Sequence, residues 1–514
     1  MESNEQMNQI SKDKWRVTSQ VEKNPKLREL FNAFHDKVKP GPIQNEIPIK
    51  IESELDAFKL FFDEKIVDYI IQESSLYITK RYNITKESKY HYSTVANIFQ
   101  KNGIHRKDIY AFVGIKLFMG VVSLPHTSHY WDTNELFNNS YVSSRMSRNF
   151  YKMLNSSIHL TQKEMNKSDE NYDPRYKLGK LIDMLNENFS KYYNCDQQIS
   201  IDETMVGYKG NNTMKFYIPH KPSKWGFKFH VLAESKTGYC YRLLLDPGKK
   251  YRSLVDFKDI EGCRKSESII LSLLQGLENK GYVLYIDSWY SSPNLYYQLS
   301  QRGILCTGMI KESRLGVNEI FTRKMEYDEI AFAVNSKKGT NLNLIQWKEK
   351  RKMNLLTTME YDNIRENNKP YPIHDYSQNM HGVDFMNYKV ALFRDRRKSY
   401  KWYKYVFYHI IEIALDNAYV LFQNIKNQKM TILNFRLKVI TQLLDGYKSG
   451  RSRAKTSLNQ KAKMHLPIKS ERRKHCKVCR NSTMLMCSAC DLYLCLKCYR
   501  KFHEEWGLKP KENQ

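Results

Sequence analysis

Long apolar runs are missing from this chain of 514 residues. Its most apolar stretches, FVGIKLFMGVV and VFYHIIEIALDNAYVLF, are too short or carry charges, so no membrane span is expected. The opening residues, MESNEQMNQISKDKWRV, lack the apolar segment of a secretion signal, which argues against export. Cysteine is sparse in the body, where Cys195, Cys240, Cys263 and Cys306 lie scattered, while the other six crowd between Cys476 and Cys498. That asymmetry suits a reducing compartment and one metal module, not a disulfide framework. No Gly-rich phosphate loop, nucleophile-elbow serine, internal repeat or heptad array is present, which sets aside nucleotide-hydrolysing P-loops and serine hydrolases. Acid is also short: 55 Asp and Glu face 83 Lys and Arg, a net charge of +28. Such an excess repels itself unless a polyanion neutralises it, which makes nucleic acid the first partner to consider and an anionic membrane surface the weaker one.

Apolar residues (41%, with 13% aromatic) are plentiful enough for packed cores, and the length calls for two to four domains. Residues 1–50 are polar, contain KPGP at 39–42, and read as a loosely ordered lead-in. From 51 to 195 the apolar period is helical, as in ELDAFKLFFDEKIVDYIIQESSLYITKRY and YKLGKLIDMLNENFSKYYN. The period then shortens: QQISID, FKFHVLAES and YCYRLLLD are β-rich, the helical SESIILSLLQGLENKG follows, then the strand YVLYID and a helix opened by Pro293. Three strands, a helix, a strand and a helix are the order of an RNase H-like α/β core, in which the first and fourth strands lie side by side. This core is expected over 196–302 and 373–394, with an inserted β-rich domain at 303–372 and a helical continuation at 395–446. Residues 447–464 read as a basic linker and 465–514 as a cysteine-rich zinc domain. The fold expected is therefore multidomain α/β, with helical and zinc-finger flanks around the catalytic core.

Asp202 and Asp287 each follow an apolar strand, 85 residues apart, and Asp384 opens a later helical region in MHGVDFMNY. A single Asp at a strand end is most often a turn former or helix cap. Three from separate segments can hold two divalent cations, with Mg²⁺ the natural choice and Mn²⁺ a substitute, and two cations suit phosphodiester chemistry. Glu203 would point to the opposite face of its strand and reads as a pairing residue. Glu360 is a further acid of interest, while Asp375 and Asp395 read as solvated or ion-paired surface. LFRDRRKSYKWYKY sets Arg394, Arg396, Arg397, Lys398, Lys401 and Lys404 beside Trp402 and Tyr405, a mix suited to phosphates and unpaired bases. Lys221, Lys224 and Lys228 in HKPSKWGFK read as a loop near Asp202 placed for backbone contacts.

Cys476-x2-Cys479, Cys487-x2-Cys490 and Cys495-x2-Cys498, followed by His503, have the spacing of thiolate pairs on tetrahedral zinc. Seven ligands fall one short of two sites, so His465 or His475 is needed. A cross-braced arrangement is expected, the first and third pairs sharing one structural ion and Cys487, Cys490, His503 and a further histidine holding the other. So short a segment needs metal to fold. KSGRSRAK and KSERRKHCK have the composition of nuclear import signals, common in so basic a chain, and a nuclear location is expected more from a DNA partner than from these runs.

SHYWDTNELF, QQISIDETM, YIPHKPSKWGFKFHVLAES, YIDSWYSSPNLYYQL, MHGVDFMNYKVALFRDRRKSYKWYKYVFYHIIEIALDNAYV and the cysteine tail occur in an order that resembles piggyBac-type transposases over residues 55–505. The resemblance implies a catalytic triad at Asp202, Asp287 and Asp384 and a base-stacking role for Trp402. It also implies His465 as the eighth zinc ligand and a tail that binds transposon ends. The implied reaction nicks each transposon end, closes and reopens a hairpin, and joins the 3′-ends to TTAA, with a homodimer holding the two DNA ends. Family members often carry a further Asp three positions after the third acid; this chain has Asn387, which offers a carbonyl oxygen but no charge. That departure supports the alternative of a domesticated DNA- or chromatin-binding relative. A zinc-dependent adaptor or ubiquitin-ligase module leaves the Asp-bearing strands unexplained.

Overall fold

The computed structural model describes residues 15–505 other than 88–97, 100, 101, 138, 162, 170, 171, 252–261, 316–323, 338, 362–364, 367, 368, 398, 400, 449–466, 488 and 489. Two compact units result, Met1–Asn139 with Arg148–Tyr447, and Ser140–Ser147 with Lys448–Gln514. No helix of the described residues is long and apolar enough to cross a membrane.

The first unit is built on one sheet of ten strands. They are β1 (Arg16–Thr18), β2 (Gln198–Gly207), β3 (Lys215–Tyr217), β4 (Trp225–Glu234), β5 (Cys240–Leu245), β6 (Val283–Ile286), β7 (Leu305–Met309), β8 (Ile330–Lys337), β9 (Thr340–Lys348) and β10 (Lys352–Thr357). Their spatial order is β1-β8-β9-β10-β7-β6-β2-β4-β3, with β5 also paired to β4. β2 runs antiparallel to β4 and β4 to β5, whereas β6 is parallel to both β2 and β7. This is the RNase H-like arrangement, with the first and fourth strands of the core adjacent. Every residue of β6 is buried, which explains why VLYI reads as a continuous apolar run and not as an alternation.

The longer helices of this unit are α1 (Pro25–Asn32), α2 (Glu54–Phe61), α3 (Glu64–Glu87), α4 (Arg106–Val121), α5 (Arg148–Ser157), α6 (Gly179–Tyr192), α7 (Lys265–Leu273), α8 (Pro293–Gln301), α9 (Tyr371–Asn379), α10 (Gly382–Leu392), α11 (Trp402–Lys426) and α12 (Ile432–Leu444). Local chemistry sets several of their starts. Ser53 and Asp56 form a reciprocal capping box on α2, and Ser292 accepts a hydrogen bond from the Leu295 amide where Pro293 opens α8. α11 buries Val406, Ile410 and Ile413 but also Phe407, Ile411 and Leu415, so it is apolar around its girth and central to its layer. It packs on α2, and α12 packs on α4 and α2, so the helices before the core and those after it form one layer. α6 docks on β5 and α10 on β2 and β4, which ties that layer to the sheet.

Two expectations need correction. The β-rich segment after residue 303 is not a separate sheet: β10 pairs with β7, and β8 to β10 extend the core sheet outward. β7 leaves one edge unpaired after joining β6, and a free edge is a template for the next strand. The stretch to residue 50 is ordered in its described part. β1 pairs with β8, Trp15 donates its indole N–H to the Leu315 carbonyl, and Leu27 joins a core cluster with Val283, Tyr285 and Trp347. Its few apolar residues are widely spaced anchors that average composition hides.

In the second unit, β11 (Pro467–His475) and β12 (Ser482–Cys487) form an antiparallel hairpin, followed by α13 (Leu496–Glu505). Among the described residues, the buried cluster of this tail is small, formed by Cys476, Cys487 and Leu494 with partly buried residues around them. The basic linker lies almost wholly outside the described residues.

Candidate active site

Parallel pairing of β2 and β6 aligns Ile201 with Ile286, so Asp202 and Asp287 occupy the next level on neighbouring strands. Asp287 follows the end of β6, but Asp202 stands inside β2, which runs on to Gly207 because β4 pairs with it along that length. Asp384 lies in the first turn of α10, across the same strand. Gly382 makes that approach possible: a Cβ there would meet the Glu234 carbonyl oxygen and Ser200 Oγ, both at 2.6 Å. Asp384 is half exposed, and its Oδ2 lies 3.3 Å from His381 Nδ1.

Burial, reinforced by the Glu203 carboxylate, pushes Asp202 well above the usual carboxylate range against the pull of Lys221. Burial also raises Asp287, although the Trp289 amide donates to its Oδ1 at 2.8 Å. The basic group facing these acids is Lys221, whose Nζ lies 3.6 Å from Asp202 Oδ2 and donates to the Glu203 carbonyl at 3.2 Å. Burial alone would lower Lys221, but Asp202, Glu203 and Asp384 hold it above the ordinary lysine value. Lys221 thus sets one positive charge in contact with Asp202 and within electrostatic reach of Asp287 and Asp384. They do not close into a tight ligand set: among the described residues, the one group of three or more candidate ligands with atoms within 4.8 Å of one another is cysteine-based.

Glu203 pairs in register with His230. Burial would raise it, but a hydrogen bond from Asp202 and the charges of Lys228, Lys221 and His230 bring it down. Nearby, His230 bridges the Tyr290 hydroxyl at 2.7 Å and Asp246 Oδ2 at 3.2 Å, all buried. This network was missed in the sequence, although the alternation FKFH carries its signal by setting Lys228 and His230 on one face of β4.

The basic residues divide sharply. Lys221 and Lys224 lie on the loop between β3 and β4, whereas Lys228 is inside β4, buried, with its ammonium 4.2 Å from the centre of the Trp289 ring. Arg397 is engaged internally, pairing with Asp395 at 2.8 Å and donating to the Tyr130 hydroxyl at 2.7 Å. Lys401 donates to the Ser156 carbonyl at 3.0 Å, Lys404 donates to the Asn155 carbonyl, and burial lowers Arg394, which stands near Glu412. The tight spacing of cations in this segment reflects ion pairs within the helical layer as much as any surface, and Arg396 is the one of its described cations that is exposed. Lys398 falls outside the described residues. Trp402 is half-buried, its ring 5.4 Å from Phe227, with Tyr405 near Tyr208. Tyr217 and Trp225, which drew no attention in the sequence, form an exposed aromatic pair 4.6 Å apart.

Three other acids have structural partners. Glu360 pairs with Arg28 at 2.8 Å. Asp375 is not solvated surface: it accepts from the hydroxyls of Tyr285 (2.9 Å) and Tyr361 (3.2 Å), because α9 lays Ile373 and Tyr376 over the sheet. Asp395 is ion-paired as expected, but buried, between Lys116 and Arg397.

In the tail, the sulfurs of Cys476, Cys479, Cys495 and Cys498 lie within 4.8 Å of one another, and those of Cys479 and Cys495 are 3.5 Å apart. Four thiolates around a zinc at about 2.3 Å stand about 3.8 Å apart, so this set fits a tetrahedral ion. The first and third pairs thus share one site. Cys487 and Cys490 are outside it, His475 Nδ1 lies 2.8 Å from the Arg480 carbonyl, and His465 is outside the described residues. His503 is on α13.

Comparison with known proteins agrees in direction. The Transposase IS4 family model matches residues 53–419, a span holding all three aspartates. Two human proteins are similar along most of the chain. PiggyBac transposable element-derived protein 3 is 22% identical over 497 residues, 90% of this chain and 78% of the relative. PiggyBac transposable element-derived protein 2 is 21% identical over 511 residues, 93% and 80% respectively. The cryo-EM structure of a piggyBac transposase synaptic complex with hairpin DNA matches with a TM-score of 0.68 and 20% identity, over 90% of this chain and all of that one. That likeness shows a shared fold.

Proposed function

Because this chain belongs to the Transposase IS4 family as a piggyBac-type transposase, we propose that it cuts and joins DNA through Asp202, Asp287 and Asp384. The observation that carries this reading is the β2–β6 register, which brings two partly buried carboxylates from distant segments to one level. Like charges so placed disfavour each other unless a cation intervenes, and hard oxygen donors suit Mg²⁺ or Mn²⁺. Asp202, Asp287 and Asp384 would hold such ions. Bound there, such ions would supply polarisation of the scissile phosphate and activation of the attacking water or 3′-hydroxyl.

The chain's own groups position the DNA. Lys221 and Lys224 on their loop, with exposed Arg396, would hold phosphates, and the open side of Trp402 would stack an unpaired base. The proposed course is nicking at each transposon end, hairpin closure and opening, and joining of the 3′-ends to TTAA, with a homodimer spanning the two ends. The tail would hold structural zinc and grip the end sequences, with nuclear residence served by the basic runs around it. A second reading, a domesticated DNA-binding protein with weak or no cutting, is favoured by Asn387 and by a ligand set that is not closed.

The deciding assay incubates the full chain with Mg²⁺ and a duplex carrying inverted repeats that flank its coding sequence. Nicking that disappears in Asp287→Ala supports the enzyme. Tight binding without nicking in the parent chain supports the domesticated reading.

A further inference from the structure

The loop from Ile218 to Lys224 is a short return between β3 and β4. Pro219 and Pro222 restrict its backbone, and the Ile218 amide closes it by donating to the Lys224 carbonyl at 2.8 Å. It lies against β2 closely enough that a Cβ on Gly207 would meet Ser223 Oγ at 2.9 Å. This seat delivers the Lys221 ammonium to Asp202 Oδ2 (3.6 Å) and the Glu203 carbonyl (3.2 Å), three-quarters buried and facing Asp384 as well. It leaves Lys224, on the same loop, exposed. A mobile side chain with four rotatable bonds therefore supplies the positive charge that the acids would otherwise draw from a metal ion.

We propose that Lys221 is an internal stand-in for the divalent cation: it holds the three aspartates together when no DNA is bound and competes with metal until a DNA phosphate draws its ammonium away. This inference rests on the reading of Asp202, Asp287 and Asp384 as cation ligands, and it makes metal loading depend on DNA. An ammonium near the carboxylates lowers their affinity for a second cation, and a phosphate oxygen offers the same ammonium an alternative partner. Lys221 is thus a positioning residue whose position differs between the free and DNA-bound protein.

The test measures Mn²⁺ binding to the DNA-free full chain by the loss of the free-ion paramagnetic resonance signal. Lys221→Gln should bind Mn²⁺ at least about tenfold more tightly than the parent chain, since one unit charge is removed from contact distance. Lys221→Arg keeps the charge and should bind like the parent, which separates charge from any disturbance of the loop. Lys429→Gln, on the loop between α11 and α12, controls for net charge and should also bind like the parent. A short duplex should close the gap between the parent chain and Lys221→Gln. Equal or weaker binding by Lys221→Gln overturns the stand-in role alone, provided Asp287→Ala abolishes the Mn²⁺ site. Mn²⁺ binding that Asp287→Ala leaves untouched overturns the metal-site reading as well.

Discussion

His409 sits buried on α11 beside Phe229, and neither of its ring nitrogens has a hydrogen-bond partner among the described residues. Burial, with some repulsion from Arg394, lowers it to about 3. The unfolded chain takes up a proton below about pH 6.5 that the folded site refuses. The folded state is therefore unpenalised above that pH and loses about 1.4 kcal/mol per unit as pH falls from there toward 3. His409→Leu should make this part of the profile less steep, read as urea midpoints at pH 7, 5.5 and 4.5, while the similar slope from His159, lowered to about 4, remains. Gly382 makes a second residue-scale case. Alanine normally suits a helix better, but here its methyl meets two oxygens at 2.6 Å and Ser235 Cα at 3.0 Å. Gly382→Ala should cost about 1–3 kcal/mol in a thermal melt, and any DNA nicking should fall further than stability alone accounts for, because Asp384 moves with the helix.

At the scale of elements, the tail has too little core to fold on apolar burial alone. Cys476→Ser should remove one zinc per chain by metal analysis and expose the β11–β12 hairpin to protease, leaving the melting of the first unit in place. β1 shows why such elements differ in legibility. The cysteine pairs are local spacings, readable in CKVCRNSTMLMCSACDLYLCLKC as written, and the sharing of one site by the first and third pairs was expected from that pattern. β1 is three residues whose strand character exists only through β8, more than 300 positions away, so no local period marks it. The same holds for β8 to β10, whose alternation says strand but does not say which sheet.

For the molecule as a whole, the charge of +28 predicts DNA binding that weakens steeply with salt. With roughly six to ten phosphate contacts, affinity should drop about 10³- to 10⁵-fold between 50 and 200 mM salt. Arg396→Gln and Lys224→Gln should each reduce the log–log slope by about one, measured by fluorescence anisotropy. Arg397→Gln and Lys401→Gln should instead lower the melting temperature, since their charges are engaged inside the helical layer. The sequence by itself determined the order of elements, the two strand-borne acids, the helix-borne third and the zinc spacing, because each is written in short-range period or spacing. Only the tertiary structure decided which cations are exposed and which are engaged inside the helical layer, that the β-rich segment extends the core sheet, and that Lys221 stands beside Asp202. Those facts depend on which distant segments meet, and register and close packing settle that across the fold.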